Sequence, residues 1–450
     1  MSQGAAPVES GARPLTPLVT WLRRYHLRHF AAHSFWIVPA LAMVAAVPVM
    51  RLVLWLDMRT QWRWFGFSVE GAQAILGGLS SSMLTFIVFA VSGLLLAVQI
   101  ASGQLTPRII SLVFARPVLR VSVGIFVFAY TFTLSALGRI ETVRVPELLV
   151  MVAVLLTLVS IAVFFWFVQQ LGTGLRPVFI LQSLWETARA VVERVYPHLL
   201  DAGGDTGPAA AVAVVDGTPR TVAHTGASGT FLAFGTRELV ALARSGGCVI
   251  ELIPQVGDFV AHGDPLFRIH PGSARVDEDA LYDCVAFGPE RTLEQDPAFA
   301  FRIMVDIASR ALSPAVNDPT TAVVAIDQIH RLLAYVGQRN LDTGPVRDDA
   351  GHVRLVYATP DWEDFVALAV SEIRAFGAGS IQVPRRLHAM LEHLAAVLPA
   401  SRAAAVRREL TLLERAVDRQ YVDDEDRRRA RHPDRQGLGG SVASATRGRG

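Results

Sequence analysis

The stretch that decides the fold is Ala74-Ile-Leu-Gly-Gly-Leu-Ser-Ser-Ser-Met-Leu-Thr-Phe-Ile-Val-Phe-Ala-Val-Ser-Gly-Leu-Leu-Leu-Ala-Val-Gln-Ile-Ala101. It holds no charged residue, and it exceeds the ~20 helical residues that cross a bilayer's hydrocarbon core at ~1.5 Å each. It is read as a membrane span. Three further apolar runs flank it: Ser34 to Leu56, broken only by Arg51, then Pro117 to Gly138, and Pro146 to Val168. Residues 34–170 are therefore predicted to form a four-helix transmembrane domain.

Composition agrees. The chain has 450 residues, of which 52% are hydrophobic and 18% charged, where soluble domains carry about 25% charged residues. This argues against a wholly soluble enzyme, a disordered chain and a coiled coil. A mean hydropathy of +0.37 is too low for membrane throughout, so a substantial soluble part remains. The net charge of +2 supplies no basic field for nucleic acid. All 42 basic residues are Arg. Without Lys there is no phosphate-loop Lys, no pyridoxal Schiff base and no biotinyl or lipoyl attachment. Cys248 and Cys284 form no CxxC, which removes a disulfide framework and a cysteine-rich zinc site. No cofactor is expected.

Residues 1–33 are long and polar, with no small-residue cleavage site after the apolar stretch, and read as a cytosolic N-terminal segment rather than a signal peptide. Arg13, Arg23, Arg24, Arg28, Arg108, Arg116, Arg120, Arg176, Arg189 and Arg194 fall on one side of the four spans. Arg51, Arg59, Arg63, Arg139 and Arg144 fall on the other. The excess predicts both termini in the cytoplasm. Trp55, Trp62 and Trp64 suit an interfacial belt on the opposite side.

The second span is the least lipid-like. Gly78, Thr85, Ser92 and Gln99 are spaced by seven and share one helix face. Two readings stand: close helix packing, or a polar path through an oligomer. No Asp, Glu or His lies mid-span to carry a proton relay.

After the spans, Leu175 to Leu200 has the period of an amphipathic helix, and the whole of 171–229 is read as this helix plus a loose connector with one strand at Ala211–Val215. Residues 230–289 are read as a small β-module, with Gly-Asp turns at Gly257-Asp258 and Gly263-Asp264 between short apolar runs. Its pattern resembles the half-motif of barrel-sandwich modules, and the absence of Lys excludes the carrier function of such modules. Residues 290–421 are read as a mainly helical cytosolic domain, with one strand at Val353–Ala358 and helices at about 361–375, 382–397 and 400–419. Residues 422–450, charged and then Gly-rich, are read as a disordered tail.

The helical part holds the most distinctive segment. Asp296-Pro297 and Asp318-Pro319 each read as a cap followed by a first-turn Pro. Between them Arg302, Asp306 and Arg310 lie four apart on one face. A solvated charge stripe is one reading. A buried network tethering Asn317-Asp318 is the second. The third is an anion site in which Arg302 and Arg310 supply charge, the helix beginning near Pro319 supplies N–H groups and Thr320 supplies a hydroxyl. His262 and His270, and His388 and His393, have no metal-site spacing.

The polar second span followed by Ala101-Ser-Gly-Gln-Leu-Thr-Pro-Arg108, the Gly257-Asp-Phe-Val260 element, Arg291-Thr with Gln295-Asp296, and Ala311-Leu-Ser-Pro-Ala-Val-Asn-Asp-Pro-Thr-Thr-Ala322 together resemble one family. It is the group of predicted bacterial membrane proteins catalogued as domain of unknown function 2254. The resemblance covers roughly residues 20–420, and Thr106 stands where many relatives carry Ser. It implies a multi-pass protein of the bacterial inner membrane and carries over no catalytic residue. Three functions remain in competition: an oligomeric channel or transport-related protein with a cytosolic regulatory domain, a membrane-anchored scaffold or sensor for a protein or anionic small molecule, and a surface enzyme. The enzyme has the least support, because Asp296, Asp306, Asn317 and Asp318 lack an activated nucleophile or a metal shell.

Overall fold

The computed structural model describes residues 20–60, 65–110, 116–140, 145–174, 176–200, 218–270 and 276–438. In chain order the elements are α1 (Trp21–His33), α2 (Ile37–Thr60), α3 (Val69–Gln104), a 3-10 turn (Pro107–Ile109), α4 (Pro117–Leu137), α5 (Glu147–Gly174) and α6 (Pro177–Val195). Then come β1 (Arg220–Ala223), β2 (Gly229–Phe234), α7 (Thr236–Gly246), β3 (Val249–Leu252), β4 (Phe259–Val260), β5 (Pro265–His270), α8 (Glu278–Tyr282) and β6 (Val285–Gly288). The remainder is α9 (Pro297–Ala311), α10 (Pro319–Val336), β7 (Val346–Arg347), β8 (Val353–Tyr357), α11 (Trp362–Gly377), α12 (Gln382–Val397), α13 (Ala400–Gln420) and α14 (Asp424–Arg431). The chain divides into two compact units, one of residues 31–204, 297–341 and 360–450, the other of 1–30, 205–296 and 342–359.

The larger unit carries the membrane helices. Among the described residues, α2, α3, α4 and α5 are long and apolar enough to cross a membrane. They bury two apolar clusters, one around Met50, Leu76, Phe132 and Leu149, the other around Leu94, Leu119, Phe126 and Phe167. Thr133, Thr157 and Ser160 are buried, and each hydroxyl donates to the carbonyl four residues back. That bond satisfies a polar group where no water is available. Two acids secure one end of the bundle. Asp57, at the end of α2, accepts from the Leu148 amide in the first turn of α5 at 2.9 Å. Glu147 accepts from the amides of Phe65 and Gly66 at 3.0 and 3.1 Å. Both carboxylates are buried and occupied by amides that would otherwise be orphaned.

The rest of this unit is helical. Helix α6 buries Ile180, Leu181, Leu184, Ala188, Val191 and Val192, the amphipathic face expected of it. Helices α10, α11 and α13 bury residues at helical spacing, while α9 is buried over most of its length and α12 without a gap from Val383 to Leu391. Asp361 and Asp364 form a reciprocal cap at the start of α11. The disorder expected from residue 422 onward does not begin there. Asp423 caps α14 through the amides of Glu425 and Asp426, and Ala430 is fully buried. Arg431 pairs with Asp418, and the Asp434 amide donates to the Arg385 carbonyl. Acids in the first turn and arginines in the last suit the helix dipole, so this charged segment has a local reason to order. Residues 439–450 lie outside the described residues.

The smaller unit is α/β. A five-stranded sheet runs β1-β5-β3-β8-β7 and a three-stranded sheet runs β4-β2-β6. The Gly-Asp turns fall where the sequence places them, with Gly257 and Gly263 at φ 98° and 91°, a region that favours Gly. Two strands differ from expectation. β1 forms in the segment read as loose connector, because it finds β5 as an antiparallel partner. β8 lies where a strand is read, at Val353–Ala358, but it leaves the helical domain it is assigned to and pairs parallel with β3. The strand expected at Ala211–Val215 lies outside the described residues. Helix α1 packs Trp21, Leu22 and Tyr25 against Leu232, Ala233 and Ala286. Gln295 clamps β2 by accepting from the Phe234 amide and donating to its carbonyl, both at 3.0 Å. Arg291 donates to the buried carboxylate of Asp296 at 2.9 Å.

Candidate functional site at the end of the second span

Helix α3 runs unbroken from Ser68, whose hydroxyl caps the Gly71 amide, to Gln104. Its buried residues include Leu76, Met83, Ala90 and Ala97, a heptad stripe that packs against the other spans. Gly78, Thr85, Ser92 and Gln99 follow the same heptad displaced by two residues. Two residues turn a helix by about 200°, so the polar stripe faces away from the bundle, and all four of its residues are exposed in the single chain. The Thr85 hydroxyl donates to the Ser81 carbonyl at 3.1 Å and Ser82 to that of Gly78 at 2.9 Å. The stripe therefore offers small residues and acceptor oxygens outward, flanked by exposed Val88, Phe89, Leu95 and Leu96.

The far end of α3 is held by α9. Arg310 donates to the Gly103 carbonyl through Nε at 3.1 Å and Nη2 at 2.6 Å. Gly103 belongs to the last turn, where carbonyls lack intrahelical partners and a cation is favoured. Thr106 then caps the 3-10 turn through the Arg108 amide, and Arg108 forms an ion pair with Asp306. The other oxygen of Asp306 accepts from Arg302 Nε at 2.7 Å. Arg302 in turn makes a bidentate pair with Glu372 on α11, at 2.5 and 2.6 Å. The hydrogen bonds from Arg302 hold the Glu372 carboxyl below the usual carboxylate range, with Arg108 adding to the effect. Arg302, Asp306 and Arg310 thus share one face, as their spacing requires, and that face meets the Gly103–Arg108 segment.

Asn317, Asp318 and Thr320 play another part. Among the described residues, no hydrogen bond or ion pair joins them to Arg302 or Arg310. Asn317 turns the chain at φ 49°, and Asp318 caps α10 by accepting from the Thr321 amide and hydroxyl. Thr320 is exposed. Reading the sequence alone missed Glu372, Asp57 and Glu147. An isolated acid at a helix end was the available signal for the last two; Glu372 has no local signature. It also missed the pairing of His330 Nε2 with His393 Nδ1 at 2.8 Å. Among the described residues no three His, Cys, Asp or Glu cluster as metal ligands.

Four apolar spans joined to an α/β unit and a helical bundle define a multi-span membrane protein with a large non-membrane region. Residues 32–393 match the family described as "Predicted membrane protein (DUF2254)", and the chain belongs to that family. It is 30% identical over 376 residues to the uncharacterized protein Rv1290c of Mycobacterium tuberculosis, covering 79% of this chain and 70% of that one. The uncharacterized protein Mb1321c of Mycobacterium bovis is similar to the same extent. No solved structure matches the chain.

Proposed function

We propose that the protein is an oligomeric channel or transport-related protein of the bacterial inner membrane, with both termini cytoplasmic. In this reading several copies turn their α3 stripes toward a common axis, and the helical region regulates the end of that helix. The observation that carries it is the outward exposure of Gly78, Thr85, Ser92 and Gln99 on the helix whose last turn α9 holds. A polar face turned to lipid gains nothing, whereas facing another copy gives small residues close packing and gives oxygens water or a permeant ion. The Arg108–Asp306–Arg302–Glu372 chain supplies the link through which the helical region acts on α3. The smaller unit is then a spacer or partner-binding module, of the barrel-sandwich kind its Gly-Asp turns resemble.

The alternative is a membrane-anchored scaffold or sensor, in which the same arginines receive a protein or an anionic ligand. Ion flux from liposomes separates the two. A channel loses flux when Thr85 and Ser92 are replaced by Leu while assembly is kept. A scaffold shows no flux under tension or with candidate ligands.

A further inference from the structure

One arginine at the start of a span lies outside the ion-pair chain. Arg116 immediately precedes α4, and its guanidinium lies over Gly174 in the last turn of α5, in space that a Cβ at that glycine would occupy. Beside it opens a cavity of about 110 Å³ lined by Arg116, Pro117, Val118, Leu119, Gln170 and Leu171. The walls are mainly aliphatic, and the guanidinium is the cavity's one charged group.

The charge accounting around Arg116 is uneven. Arg108 has Asp306 and Arg310 has the Gly103 carbonyl. Among the described residues Arg116 has no hydrogen bond and no ion pair. The sequence gives the reason: no Asp or Glu occurs between Glu70 and Glu141, nor between Glu147 and Glu186. Neither α4 nor α5 brings a counter-charge to this end of the bundle. Burial with nothing to offset it pulls the Arg116 pKa below its ordinary value. A half-buried guanidinium left in this condition is costly unless an anion from outside completes it.

Position identifies the anion. Helix α4 has 21 residues, which is just enough to cross the hydrocarbon core, so the residue before it stands at the level of the lipid headgroups. Earlier in α5, toward the middle of the span, Phe165, Trp166 and Val168 are exposed, an apolar surface suited to an acyl chain. We infer that this cavity binds the phosphate of an anionic glycerophospholipid, with Arg116 as its charge partner and the aliphatic walls against its glycerol and acyl portion. A free phosphate ion has the charge but no use for those walls. This site does not depend on whether the protein conducts.

The test is native mass spectrometry of the full-length protein in detergent, with dioleoyl phosphatidylglycerol or dioleoyl phosphatidylcholine added in equal amounts. The expected result is retention of phosphatidylglycerol over phosphatidylcholine by the wild-type protein. Arg116→Gln should weaken that retention about tenfold, the scale of one charge-assisted hydrogen bond, and Arg116→Lys should restore part of it. Val118→Trp, which fills the cavity and leaves the arginine, should also weaken it. Equal retention of the two lipids by the wild-type protein overturns the site, whether or not Arg116→Gln folds. So does undiminished phosphatidylglycerol retention in a folded Arg116→Gln protein. Displacement of the lipid by millimolar inorganic phosphate would show a small-anion site instead and contradict the lipid assignment.

Discussion

Arg310 on α9 donates two hydrogen bonds to the carbonyl of Gly103, in the last turn of the longest membrane helix. The two residues stand 207 positions apart, and each belongs to a segment that singles itself out in the sequence. The bond makes the end of α3 part of the helical region's packing. A movement of α9 therefore has a direct route to the second span, through one carbonyl and the Arg108–Asp306 pair five residues later.

The acids of this network should differ in weight. The Asp306 side chain is 18% exposed and bridges two arginines, while that of Glu372 is 45% exposed and meets one. Asp306→Asn leaves Arg108 and Arg302 facing each other with half the compensation, and should cost roughly 2–3 kcal/mol. Glu372→Gln should cost less than about 1 kcal/mol, the range of exposed pairs. Arg310→Gln should fall between, at about 1–2 kcal/mol, with faster amide exchange confined to the end of α3. Unfolding in detergent and hydrogen exchange measure both. Equal effects of Asp306→Asn and Glu372→Gln would mean that the network is solvated throughout.

Asn317 stands in the left-handed region, and the Asn317 amide donates to the Ser313 carbonyl at 2.8 Å. A β-branched residue there should destabilise the α9–α10 turn by about 1–2 kcal/mol. Asn317→Gly should be neutral or slightly stabilising. Thermal unfolding of Asn317→Val and Asn317→Gly side by side checks the sign; a stable Val variant would show that the turn adopts another conformation.

Acidification should weaken the α10–α12 contact. His330 is held neutral, with its pKa pushed down to about 4 by burial, Arg386 and His393. Arg386 donates to Nδ1 of His330 at 3.1 Å, so Nε2 carries the proton that meets His393. The unfolded chain takes up a proton near pH 6.5 and the folded chain only near 4. Stability is therefore full above about pH 6.5, falls through the interval down to about 4 and flattens below it. Burial also lowers the His388 pKa, so His330→Gln should reduce the slope without removing it. An unchanged slope in that variant would place the titration elsewhere.

Much of the membrane half is legible in the sequence because a bilayer imposes a simple rule. Some 20 apolar residues must run together, and the runs at Ala74–Ala101 and Pro117–Gly138 lie within or beside α3 and α4. Periodicity also places α6, whose buried residues repeat at helical spacing, and the Asp-Pro pairs mark the starts of α9 and α10. What fails is what depends on a distant partner. β1 looks unremarkable until β5 pairs with it, β8 is legible as a strand but not as a neighbour of β3, and Glu372 gains its role only because α11 passes Arg302. The candidate site was half visible: the spacing of Arg302, Asp306 and Arg310 fixes their common face, but no local rule says that Gly103 and Arg108 meet it. The tail differs in the other direction over residues 423–438, where charge density suggests disorder while the order of acids then arginines suits a capped helix.

The central claim is that the exposed stripe of α3 lines a path shared between copies. The most direct measurement is ion flux, for monovalent cations and anions, from liposomes holding the purified full-length protein and its Thr85→Leu/Ser92→Leu variant. The account predicts flux in the wild type that is lost in a variant of the same oligomeric size. Equal flux in both proteins, or a wild type that stays silent under membrane tension and with anionic ligands, would contradict it.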